Sequence, residues 1–194
     1  IEPLVQRNLF LKFKTRAVRQ HIMQRKNISN LELKELKKQF PNLLDILSGK
    51  TEPTNILQPC SFDHYLTLAE CDTIQDSAKD EERRASHKKL LELFFEASNK
   101  EVFSWRYKRK NRIQLYKVTD WNYLYKTSQI EKKTGLSGCG YFLISKKLNV
   151  IYEEHWDWTN ILTLFSKSDL TTVKEITSKS GLFLLNPSED QKRN

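Results

Sequence analysis

At about Asn99 the apolar residues of this chain change from a helical to an alternating period, and that switch restricts the fold to one that combines helices with a sheet. Ahead of it, Asp76 to Ser98 reads as a helix. Its first turns are acidic, which suits the helix dipole, and Leu90, Leu91, Phe94 and Phe95 close its apolar side. Behind it, Phe103, Trp105 and Tyr107 alternate with polar residues, Lys108 to Asn111 interrupt, and Ile113, Leu115 and Tyr116 to Val118 follow. That pattern predicts an antiparallel hairpin. A second such unit spans Gly140 to Trp156, with YFLIS and NVIYEEHW around the turn Lys146-Lys147. Being the more apolar of the two, it should lie centrally in the sheet.

The flanks complete the pattern. Leu4, Val5, Leu9, Phe13, Val18 and Ile22 predict a basic amphipathic helix from about Pro3 to Met23. Asn30 can cap a second helix, which stops before Pro41, and a short third one, Asn42 to Ser48, ends at Gly49. Thr51 to Pro59 holds Pro53 and Pro59 and reads as a linker, and Ser61 to Asp72 reads as a helix. Asn160 to Phe165 reads as the start of a helix, Asp169 to Ser178 as a capped helix, and Leu182 to Leu185 as a last strand. The expected fold is α+β: an N-terminal helical segment followed by a small antiparallel β-sheet with a C-terminal helix. It divides as a basic helical segment, 1–59, and an α+β core, 60–194, or runs as one continuous domain.

Only five Gly and five Pro punctuate 194 residues, too few for an all-β architecture, while ten Phe, seven Tyr and four Trp supply the bulk of a core. Cys60, Cys71 and Cys139 are odd in number and widely spaced, so neither a disulfide framework nor a zinc site is indicated and a reducing cytoplasm is the simplest setting. No apolar run approaches the ~18 residues of a membrane span, and the first residues lack a signal peptide's pattern. No Gly-rich phosphate loop, nucleophile elbow or HExxH motif occurs. We therefore assign no catalytic residue, no metal and no cofactor, and expect a non-enzymatic binding protein. The sequence assigns no oligomeric state.

Charge indicates the kind of partner. The formal net charge of +9 is laid out in blocks of +7 over residues 1–50, −5 over 51–99, +6 over 100–126 and +1 over 127–194. Within the third block Trp105, Arg106, Tyr107, Lys108, Arg109, Lys110 and Arg112 interleave cations with aromatic faces. Phosphate neutralisation and base stacking together suit a single-stranded nucleic acid. The competing expectation is that strand alternation turns the aromatics into the core and leaves the cations in solvent. Residues Ile22 to Thr54 resemble the helix-turn-helix regions of phage-repressor-like regulators in the ending Gly49-Lys50-Thr51-Glu52-Pro53. They depart from them in the turn, Phe40-Pro41, and in a second helix without Arg, Lys or Gln to read bases.

The densest run of titratable groups is Glu153, Glu154, His155, Trp156, Asp157 and Trp158. It closes the string GYFLISKKLNVIYEEHWDWTNILTLF, Gly140 to Phe165, which resembles the C-terminal hairpin of bacterial toxin-immunity proteins. The resemblance implies a cytoplasmic, cofactor-free protein that binds one toxin domain through this run. A net positive chain departs from the acidic surface of many such families. Either the partner is acidic, or the contact falls to the acidic segment Asp72 to Glu82 together with Glu153, Glu154 and Asp157, because a local acidic face can steer a partner despite the net charge.

Overall fold

The computed structural model describes residues 25–65, 70, 77–108, 112–128, 130, 141–155, 160–166 and 169–187, with the backbone alone at 25, 77–80, 106–108, 112 and 141. The expected helix Pro3 to Met23 lies outside these residues. Eight strands form one antiparallel sheet: β1 (Arg25–Asn27), β2 (Ile56–Cys60), β3 (Val102–Lys108), β4 (Arg112–Val118), β5 (Tyr141–Ser145), β6 (Val150–Glu154), β7 (Ile161–Leu164) and β8 (Phe183–Leu185). Their order across the sheet is β1-β4-β3-β5-β6-β7-β2-β8. Five helices accompany them among the described residues: α1 (Asn30–Gln39), α2 (Leu43–Leu47), α3 (Ser77–Ala97), α4 (Trp121–Thr127) and α5 (Leu170–Lys179). The class is α+β, as expected, but the sheet is not small. It dominates the fold, and β1 and β2 bring strands into the N-terminal part, which is therefore not purely helical.

Strand alternation gives the sheet two buried faces. Val102, Val118, Leu143, Val150, Tyr152, Leu162 and Leu164 turn to one side, where Leu90, Leu91, Phe94 and Phe95 of α3, Leu124 of α4 and Val173 and Ile176 of α5 cover them. Phe103, Leu115, Phe142, Ile144 and Ile151 turn to the other, under Leu36 and Phe40 of α1 and Leu43 and Leu47 of α2. The hairpin β5–β6 is apolar on both faces because it lies in the middle of the sheet.

Three expectations are corrected. Residues 56–60 are strand β2, where a linker was expected: Ile56 and Leu57 pair with Thr163 and Leu162, and Gln58 to Cys60 with Leu185 to Phe183. The two neighbours overlap so little that Pro59, which lacks an N–H, has β8 alone beside it and interrupts no ladder on the β7 side. The stretch Ile161–Leu164 is strand β7, where a helix was expected, because Leu162 and Leu164 alternate into the core beside β6. Ser61 to Tyr65 are not helical. Most of the remainder of that expected helix lies outside the described residues.

The cap of helix α1 lies one residue before the expected Asn30. Ser29 is the N-cap: its hydroxyl accepts from the Glu32 N–H at 3.2 Å, while the Ser29 N–H donates to Glu32 Oε2 at 2.8 Å. That backbone donor, and after it Lys117, hold the Glu32 carboxyl at a pKa of about 2. Lys117 on β4 reaches Glu32 at 3.1 Å and Glu101 at 3.2 Å, which ties the cap to the sheet. Replacing Ser29 by Ala is expected to cost about 1 kcal/mol in urea denaturation, the usual worth of such a cap. At the far end of α1 the Gln39 amide nitrogen donates to the Lys146 carbonyl at 2.6 Å and to Asn149 Oδ1, and Asn149 donates to Asp169 at 3.1 Å. The β5–β6 turn is thereby fastened to helices on both faces.

Candidate functional site

Strand β6 separates the two adjacent glutamates. Glu153 follows Ile151 onto the α1–α2 face, whereas Glu154 follows Tyr152 inward and is buried. Glu153 meets His155 there at 3.2 Å through a buried imidazole nitrogen, with side chains 23% and 33% exposed respectively, so part of each side chain reaches the surface. Trp156, Asp157 and Trp158 lie outside the described residues. The structure therefore brings together Glu153 and His155 and sends Glu154 the other way.

Beneath this end of the sheet lies a buried polar cluster that sequence reading did not single out. Asn160 accepts the His155 N–H on Oδ1 at 2.9 Å, and its amide nitrogen lies 3.0 Å from His87 Nδ1 and 3.0 Å from the Tyr152 hydroxyl. That hydroxyl lies 3.4 Å from Glu154 Oε1. His87 is wholly buried under the sheet, and desolvation lowers its pKa to about 4. One signal was legible: His87 continues the stripe of Leu90, Leu91 and Phe94 at helical spacing, which places it on the buried side of α3.

The basic hairpin is built as a projecting ribbon. β3 and β4 pair from Val102↔Val118 out to Lys108↔Arg112, but β5 joins β3 only at Phe103 and Ser104, and β1 joins β4 only at Tyr116 to Val118. Beyond Trp105 no further strand pairs with them among the described residues, and Gln114 donates to Asn27 Oδ1 of β1 at 2.7 Å. Arg106, Tyr107, Lys108 and Arg112 are described by their backbone, and Arg109 and Lys110 lie outside the described residues. Trp105 is half-buried with its ring 5.5 Å from Phe142, Tyr116 is buried, and Trp121 lies 6.1 Å from Phe95 and 5.8 Å from Tyr125. These aromatics serve the interior, in line with alternation.

Two other features complete the surface. A cleft of about 380 Å³ beside β2 and the start of α5 has Ile56, Leu57, Leu164 and Leu170 in its walls, with Thr54, Asn55, Ser166 and Asn186 around them. His64 is exposed and bonds Asp63 at 2.7 Å and Glu70 at 3.1 Å, which raises its pKa. Among the described residues no group of three His, Cys, Asp or Glu side chains is placed to hold a metal ion, and no helix is long and apolar enough to cross a membrane. No family model matches the chain, and no curated protein or solved structure matches it significantly.

Proposed function

We propose that this chain is a non-enzymatic binding protein that neutralises a partner protein, as bacterial toxin-immunity proteins do, and that the end of β6 makes the contact. The observation that carries the reading is the Glu153–His155 pair, partly exposed at 3.2 Å and backed by a hydrogen-bonded core cluster that fixes its backbone. A carboxylate–imidazole pair on a rigid base selects its partner by complementarity, and a fixed geometry lowers the cost of ordering on binding. No bond is made or broken in this mechanism. The partner is held or covered.

Capture from a lysate of the source organism, followed by purification of the captured protein, tests it. A 1:1 complex is expected in which the partner loses its own activity, and Glu153→Lys is expected to weaken that complex at least tenfold. An unchanged affinity for Glu153→Lys, or a partner whose activity survives binding, would sink the proposal.

A second reading, nucleic-acid binding, is favoured by the ribbon of β3 and β4, whose outer half carries Arg106, Lys108 and Arg112 beyond the neighbouring strands. Two-stranded ribbons can enter a groove and neutralise phosphates. This reading expects anisotropy binding to labelled RNA or DNA that weakens by orders of magnitude between ~50 and ~200 mM salt and vanishes when Arg106, Arg109 and Arg112 become Ala. Absence of binding at the lower salt removes it.

A further inference from the structure

The Glu153–His155 pair keeps its geometry only if the chain leaving β6 is held, and it is held from inside the core. The His155 N–H donates to Asn160 Oδ1 at 2.9 Å, and since a backbone N–H can only donate, this contact settles which way the amide points. Its nitrogen therefore donates to the Tyr152 hydroxyl and to His87 Nδ1, each at 3.0 Å. His87 Nδ1 must then offer a lone pair. The ring is neutral, with its proton on Nε2.

From these contacts we propose that Asn160 is the positioning residue for the Glu153–His155 pair and holds it only while His87 is neutral, an inference that rests on reading that pair as the partner-binding site. A proton on Nδ1 would set one N–H against another, and the amide would have to release a partner. Along α3 the charged groups Arg83, Arg84 and Lys88 lie within about one turn of His87. From β6 comes Glu154, reached through Tyr152, and from the β6–β7 connection His155, whose ring is engaged with Glu153. Burial keeps the closed ring neutral to a pKa of about 4, whereas a hydrated imidazole takes its proton near ~6.5. Release therefore becomes easier as pH falls below that higher value.

Amide exchange at His155, followed by NMR on the protein alone at pH 7 and pH 5 and corrected for intrinsic rates, tests the proposal. Protection there is expected to fall about twentyfold at the lower pH and to stay below that of Leu143 and Ile151 in mid-sheet at both pH values, which marks a local opening. Asn160→Ala is expected to lose the protection at both pH values. His87→Gln keeps an acceptor for the amide but takes up no proton, so its protection should be flat with pH. Equal protection at both pH values in the wild-type protein, or the same fall in His87→Gln, overturns the proposal. Should His87→Gln not fold, Asn160→Asp serves. Its carboxylate still accepts from His155 and favours a charged His87, so protection should rise on acidification, and a fall would overturn the proposal. No partner enters this measurement, so its failure leaves the binding reading to be judged by Glu153→Lys capture.

Discussion

Acidification from pH 6.5 to pH 4 is expected to remove about 3 kcal/mol of folding stability from the wild-type chain beyond what a His87→Gln chain loses. The sign follows from burial. His87 is fully enclosed and its folded pKa is lowered to about 4, below the ~6.5 of an unfolded imidazole. Between those values the unfolded chain binds a proton that the folded chain refuses. Stability is therefore complete above the unfolded pKa and drains away as pH falls, by about 1.4 kcal/mol for each pH unit. Urea denaturation at pH 7, 5.5 and 4.5 on both chains measures the difference. Parallel curves for the two would show that His87 does not carry the loss.

Phe94→Ala is expected to destabilise the protein by about 3–5 kcal/mol, the largest effect of any single substitution considered. The ring is wholly buried on α3 and lies 5.5 Å from that of Tyr152 in the central strand β6, so its removal leaves a cavity between helix and sheet. Leu31→Ala supplies the contrast. Leu31 is 68% exposed on α1, and its loss should change stability by less than about 0.5 kcal/mol. A Phe94→Ala midpoint close to that of Leu31→Ala would show that α3 does not carry the main core.

The sequence made elements legible wherever one local pattern decided them. The period change after Asn99, the hairpins and the glycine stop at Gly49 are short-range signals, and the corresponding helices and strands stand close to where they were expected. Strand β2 was not legible, because Pro53 and Pro59 dominate its local chemistry and what makes it a strand is pairing with β7 and β8, far along the chain. Strand β7 failed for the same reason. Three apolar residues with one threonine fit either period, and only the proximity of β6 decides between them. At the candidate site the adjacency of Glu153 and His155 followed from alternation. The cluster beneath it did not, since nothing local says that His87 and Asn160 meet across the core.

The place of β2 between β7 and β8 also sets a timetable for synthesis. Cys60 pairs with Phe183, so roughly 120 residues must leave the ribosome after β2 before its outer neighbour exists. At ~5–20 residues per second that is a delay of roughly 6–25 s. During it the first two hairpins can form and α3 can settle against them, while β2 waits with its outer edge bare even after β7 has emerged. The last of the described strands to be made closes the sheet on one of the first, so this sheet is complete only once β8 has emerged.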